Sequence, residues 1–98
     1  MRVRYTLRAR SDLESIFSYL DSRNPAAAHA VKRKIERSAA TLALSPYLGV
    51  VIDRSPEFRS LRAGRYPYRI YYRIRGNEVW ILHIRHTSRH PWAGEPER

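Results

Sequence analysis

The spacing of hydrophobic residues changes along the chain and predicts an order of elements. Val3 and Tyr5 alternate with polar residues as in a short strand, and the next apolar residues recur every three or four positions, which is typical of an amphipathic helix: Ala9, Leu13, Ile16, Phe17 and Leu20. Asn24-Pro25 predicts a second helix start, because asparagine caps helices and proline suits the first turn. The buried stripe of this second helix is predicted to contain Ala28, Val31, Ile35, Ala39 and Leu42, and Ser45-Pro46 with Gly49 ends it.

The residue pattern in the second half of the chain predicts strands. Residues 58–63 form one strand, and residues 67–75 and 78–87 form a hairpin around Gly76-Asn77, a dipeptide typical of two-residue turns. A uniform register pairs Ile74 with Val79, Tyr72 with Ile81 and Ile70 with His83, on the face that packs against the helices. The opposite face is then predicted to hold Arg69, Tyr71, Arg73, Trp80, Leu82, Ile84 and His86, with Arg69 across from Ile84.

Composition and charge narrow the classes of partner. At 98 residues the chain is expected to be one domain over residues 1–93, with a flexible tail over 94–98. The formal net charge is +10, and all but Lys32 and Lys34 of the 19 basic residues are arginine. Arginine suits phosphate and carboxylate recognition, so the charge favours a nucleic acid or an acidic protein segment as partner.

Several classes of protein are disfavoured by what the sequence lacks. The chain has no cysteine, which excludes disulfides and thiolate nucleophiles. It also has no apolar run near the ~20 residues of a membrane span and no segment typical of a secretory leader, so we expect a cytoplasmic protein. His83 and His86 lie three residues apart, which on a strand puts them on opposite faces, so no metal site or cofactor is expected.

Residues 59–89 carry the candidate chemistry. This segment contains a single acid, Glu78, and eight arginines: Arg59, Arg62, Arg65, Arg69, Arg73, Arg75, Arg85 and Arg89. Metal-free RNA cleavage needs a base for the 2′-hydroxyl proton and cations at the phosphate, and Arg69, His86 and Arg89 are the candidates for these roles. The same trio could instead bind an anion without chemistry. The candidate nucleic-acid contacts are Arg59, Arg62, Arg65, Tyr71, Arg73 and Trp80.

The order of motifs resembles the toxins of the RelE/ParE superfamily, the toxin half of bacterial type II toxin–antitoxin modules. The motifs are Ala9-x-x-Asp12-Leu13 in the first helix, Tyr68-Arg69-Ile70-x-Tyr72-Arg73-Ile74, and Val79-x-Ile81-Leu82-x-Ile84-x-His86-x-x-Arg89. The resemblance implies an α+β fold, in which an N-terminal helical hairpin packs on a small, mostly antiparallel, twisted sheet. It also implies a cognate antitoxin, often acidic, that neutralises the toxin.

The superfamily divides by target. RelE-like members cut mRNA on the ribosome and ParE-like members act on DNA gyrase. In the cleaving branch, one arginine on the penultimate strand and another after the last strand take part in catalysis, and these positions correspond to Arg69 and Arg89. Two departures weaken that assignment: Phe58-Arg59-Ser60 stands where cleaving relatives carry lysines, and Trp92 stands where many carry a tyrosine. The long helical hairpin is more similar to the ParE branch.

The sequence therefore predicts a growth-arresting toxin whose target is mRNA on the ribosome or DNA gyrase. Two alternatives stay open. The first is a non-enzymatic module that binds RNA or DNA, and the second is an inactive toxin-like domain that only binds an antitoxin.

Overall fold

A computed structural model describes residues 1–88 of the protein and shows the α+β architecture that the sequence predicts. The elements are β1 (Arg2–Tyr5), α1 (Leu7–Asp21), α2 (Pro25–Thr41), β2 (Val50–Ile52), β3 (Ser55–Arg62), β4 (Tyr68–Arg75) and β5 (Glu78–His86). The two helices form a hairpin that packs on one face of a five-stranded sheet. None of the helices within residues 1–88 is both long and apolar enough to cross a membrane.

Local side-chain chemistry fixes where the helices begin. The Thr6 hydroxyl accepts a hydrogen bond from the Ala9 amide and caps α1. The Asn24 side chain accepts from the Ala27 amide and caps α2, with Pro25 as the first helical residue, as the sequence predicts. All members of the predicted stripe of α2 are buried.

The sheet has the strand order β1-β5-β4-β3-β2. β1 runs parallel to β5, whereas the three other neighbouring pairs are antiparallel. β2 is an edge strand that the sequence analysis missed. It turns into β3 through Asp53 and Arg54, whose φ angles are 51° and 55°. Two successive positive φ angles suit a tight hairpin, but Asp-Arg lacks the glycine that makes such turns recognisable in a sequence.

The core lies between the helices and the sheet. The predicted buried face of β4 is confirmed, since Tyr68, Ile70, Tyr72 and Ile74 are all buried. The largest fully buried side chains come from both layers: Tyr72, Ile35, Leu42, Ile70, Ile81 and Val79. We call this side of the sheet the helix-bearing face and the other side the open face.

The uniform register predicted for the β4–β5 hairpin is correct near the turn and wrong farther from it. Ile74 pairs with Val79 and Tyr72 pairs with Ile81, but Tyr71 pairs with His83, so that Leu82 is an extra residue in β5. This is a β-bulge. It lies where β1 ends, and there the Thr6 hydroxyl donates to the carbonyls of Ile81 and Leu82 over 3.1 and 3.2 Å.

The bulge changes the faces assigned to the end of β5. Ile84 lies opposite Ile70 and is buried in the core, not on the open face as predicted. Arg69 lies opposite Arg85 instead of Ile84, and His86 lies opposite Tyr68. Since Tyr68 belongs to the helix-bearing face, His86 belongs to it too. The prediction that His86 shares a face with Arg69 is therefore wrong.

Candidate functional site

Three arginines from neighbouring strands lie side by side on the open face. Arg62 of β3 pairs with Arg69 of β4, and Arg69 pairs with Arg85 of β5. We call them the arginine row. Directly paired residues of one face have β-carbons about 5 Å apart, and like charges at that distance destabilise a sheet. Among residues 1–88, no carboxylate forms an ion pair with any of the three.

Hydrogen bonds orient the arginine row outward. The Arg69 Nε donates to the buried Ser60 hydroxyl over 3.2 Å, and the Arg62 Nε donates to the Tyr66 carbonyl over 3.2 Å. The Arg85 Nε is buried with no partner among the described residues. Because Nε is engaged or buried in each case, the terminal amino groups of the guanidinium fork are the donors that remain for an external anion.

A second row crosses the open face nearer the β4–β5 turn. It runs through Arg4, Trp80, Arg73 and Phe58. The Arg73 guanidinium lies 4.9 Å from the Phe58 ring centre, and that of Arg4 lies 5.8 Å from the Trp80 ring centre. Glu78 joins this row, since it accepts from the Trp80 indole over 3.3 Å and pairs with Arg4. The Arg4 hydrogen bond is the main reason that the pKa of the Glu78 carboxyl is lowered.

The predicted nucleic-acid contacts do not form one surface. Arg62, Arg73 and Trp80 lie on the open face, whereas Tyr71 is only 4% exposed and offers almost no ring surface to a base. Arg65 lies in the turn between β3 and β4, next to a cavity that also contacts α2. Arg62, Arg73 and Trp80 therefore share the open face, whereas Tyr71 is buried and Arg65 lies elsewhere.

Arg59 belongs to the helix-bearing face, because it pairs with Tyr72. Its guanidinium donates to the carbonyls of Pro56, Tyr47 and Gly49 over 2.8, 3.1 and 2.9 Å. The Tyr72 hydroxyl holds the same segment, since it donates to the Pro46 carbonyl over 2.7 Å and accepts from the Gly49 amide over 2.9 Å. In this structure Arg59 thus anchors the connection between α2 and β2.

His86 lines a cavity between α1 and the end of the β4–β5 hairpin, and Arg85 of the arginine row also lines it, whereas Arg62 and Arg69 do not. Its ring makes an edge contact with Tyr68 at 5.3 Å, and its Nδ1 accepts from the Ser88 amide over 3.0 Å. Arg69 and His86 are therefore on opposite faces of the sheet. Arg89, the third candidate catalytic residue, lies outside the described residues, as do Trp92 and the predicted tail 94–98.

Asp12 is a largely buried acid to which the sequence analysis gave no role. One of its carboxylate oxygens lies 2.7 Å from His83 Nδ1 and accepts the Ile84 amide over 3.0 Å, while the other accepts from Arg8 over 3.0 Å. His83 is 3% exposed, so its ring is buried against this carboxylate. One sequence signal could have indicated this contact: Asp12 lies beside the apolar stripe of α1, which faces the sheet.

The chemistry of the site is that of anion binding. Among residues 1–88, no group of three or more histidines and carboxylates is arranged to hold a metal ion. The arginine row presents clustered guanidinium groups. Such a surface can bind phosphates or carboxylates.

Comparison with known proteins identifies the family. The family model described as "ParE toxin of type II toxin-antitoxin system, parDE" matches residues 3–91. The chain belongs to this family. It is thus the toxin component of a type II toxin–antitoxin module, and its partner is an antitoxin.

The fold of this ParE-family toxin agrees with that of a solved relative. A chain of the structure titled "Chromosomal ParDE TA system from P. aeruginosa" is 24% identical, with 90% of this chain and 97% of that chain covered and a TM-score of 0.77. A search of curated proteins finds no match. The structural likeness supports the fold, and the family match carries the assignment as a toxin.

Proposed function

We propose that this ParE-family toxin arrests growth by inhibiting DNA gyrase, and that an acidic antitoxin neutralises it in the cytoplasm. Gyrase is the target that the resemblance to the ParE branch implies, and the family match supports that branch. The observation that carries the proposal is the separation of Arg69 from His86. Metal-free RNA cleavage by the predicted pair would need Arg69 and His86 at one phosphate, and the two lie on opposite faces of the sheet.

The open face supports an acidic antitoxin as partner. The arginine row offers three cations without carboxylates, and the second row adds the rings of Phe58 and Trp80. An interface that combines apolar contact with charge complementarity binds specifically and associates fast. Arg69→Glu should therefore weaken binding of the antitoxin far more than Arg54→Glu, since Arg54 lies in an exposed turn away from both rows.

Two measurements on the same protein separate gyrase inhibition from RNA cleavage. The purified toxin is expected to inhibit DNA supercoiling by gyrase, while RNA ends mapped after induction stay the same as in uninduced cells. Arg54→Ala serves as the control with unchanged toxicity. New RNA ends that appear in phase with codons after induction, and disappear in Arg69→Ala, would refute the proposal and show an mRNA-cleaving toxin.

A further inference from the structure

A second cationic surface lies on the side of the molecule that carries the helices. It is a cavity of about 380 Å³ between α2 and the β3–β4 turn. We call it the helix-side basic cavity, and its lining residues are Ala30, Arg33, Lys34, Arg37, Gly64, Arg65 and Tyr66. Four of these side chains are cationic and none is acidic. The cavity contains no member of the arginine row.

The local structure builds this cavity and holds its cations in place. Arg33 and Arg37 lie one turn apart on α2, so their side chains lie on the same side of the helix. The stem of Lys34 packs against the turn at Gly64, where a β-carbon would come within 2.3 Å of Lys34 Cε. Gly64 also has a φ of 59°. The positive φ is the reason that this turn favours glycine, and a β-carbon there would in addition displace the flexible end of the Lys34 side chain.

No anionic group of the described chain neutralises the cavity. Among residues 1–88, ion pairs with carboxylates engage Arg4, Arg8 and His83 but none of the four cations of the cavity. The Arg65 guanidinium lies 5.6 Å from the Tyr66 ring centre, and this cation–π contact does not neutralise its charge. Like charges one turn apart on a helix are destabilising, so a bound anion would stabilise this arrangement.

We propose that the helix-side basic cavity binds the backbone phosphates of duplex DNA. Arg33, Arg37 and Arg65 are exposed, so a large ligand can reach them. Cations clustered along a helix face are typical of phosphate-backbone contacts, which need charge and little else. A protein segment also needs apolar surface, and only Ala30 and Tyr66 supply it here. Nucleic acid therefore fits this cavity better than an acidic peptide does.

The inference rests on the proposed function in one respect. It takes the bound DNA to be the duplex that gyrase holds while it works. In that complex, the cavity would contact DNA while other surfaces of the toxin contact the enzyme. Binding itself needs no gyrase and can be measured with DNA alone.

The test compares two triple variants that lose the same charge. Arg33→Ala/Arg37→Ala/Arg65→Ala removes three cavity cations, and Arg10→Ala/Arg54→Ala/Arg75→Ala removes three exposed arginines that lie elsewhere. Fluorescence anisotropy with a short labelled DNA duplex gives the affinity over a series of salt concentrations. Each phosphate contact contributes about 0.9 to the slope of log affinity against log salt. The cavity variant should lose about two to three units of slope, and the control less than about one.

The remaining outcomes separate this inference from the proposed function. Equal slopes for the two variants would overturn the inference, as would a cavity variant that loses binding to poly-L-glutamate while its DNA binding matches that of the control. Gyrase supercoiling is measured in parallel. DNA binding through the cavity without gyrase inhibition would refute the proposed function alone, and gyrase inhibition with equal slopes would refute the inference alone.

Discussion

Arg59 and Arg69 show that the position of an arginine in the sheet decides its role. Arg59 was a candidate for contact with nucleic acid and Arg69 a candidate for catalysis, and both lie in strands of alternating pattern. Arg59 donates to three backbone carbonyls, of which those of Tyr47 and Gly49 lie in the connection before β2. Within residues 1–88, Arg69 makes one side-chain hydrogen bond, to Ser60, and no member of its row has an ion pair. The first arginine therefore stabilises the fold, and the second is available to a partner.

This difference predicts that the same substitution has unequal effects on stability at the two positions. Arg59→Ala should lower the free energy of unfolding by about 1–3 kcal/mol, because the carbonyls of Pro56, Tyr47 and Gly49 lose a charged donor. Arg69→Ala should change it by less than about 0.5 kcal/mol, since removal of one cation from a row of like charges offsets the lost hydrogen bond. Urea denaturation measures both. Equal destabilisation by the two substitutions would contradict the assignment of Arg59 as an anchor.

At the scale of elements, local signals predicted most of the fold but missed the short edge strand β2 and one inserted residue in β5. The Asn24 cap, the α2 stripe and the Gly76-Asn77 turn depend on near neighbours in sequence, so the sequence reveals them. The bulge has no such local signal. Residues 79–84 are nearly all apolar, so they lack the alternation of apolar and polar residues in which an extra residue would be visible. That one residue, Leu82, moved His86 to the other face and separated the predicted catalytic set.

The two turns with left-handed glycines allow a matched test of the β3–β4 element. Gly64 and Gly76 have φ angles of 59° and 60°, so alanine at either position should cost about 1–2 kcal/mol of backbone strain. Gly64→Ala also displaces Lys34, whereas the space around Gly76 is open. Thermal unfolding should shift similarly in both variants, and only Gly64→Ala should weaken DNA binding. Unchanged DNA affinity in Gly64→Ala would show that the position of Lys34 is irrelevant.

At the scale of the whole molecule, two clusters of cations lie on different sides of the sheet, within a chain whose formal net charge is +10. The open face combines the arginine row with aromatic rings and suits an acidic, partly apolar protein segment. The helix-side basic cavity offers cations with little apolar surface and suits phosphates. A toxin with both could be bound by an antitoxin on one side and contact DNA on the other. The long-range field of such a charge also speeds association with either anionic partner.

The buried tyrosines predict how stability depends on alkaline pH. Burial is the main cause that raises the pKa of Tyr5, Tyr68 and Tyr72, and for Tyr72 the Gly49 hydrogen bond and Arg59 oppose part of that rise. In the unfolded chain these hydroxyls ionise near pH 10, before they do in the folded protein. Their contribution to stability is therefore fully present below about pH 10 and is lost as the pH rises through the folded pKa values.

Urea midpoints measured from pH 8 upward should accordingly be level at first and then fall above about pH 10. Tyr72→Phe should be less stable at pH 8, since it loses the bonds to Pro46 and Gly49, but its midpoint should fall less steeply at high pH because one of the shifted groups is absent. Tyr47→Phe is the control, since Tyr47 is exposed and its hydroxyl makes no hydrogen bond within residues 1–88. Parallel curves for wild type and Tyr72→Phe would mean that Tyr72 ionises equally in both states, and that its burial has no part in the alkaline loss of stability.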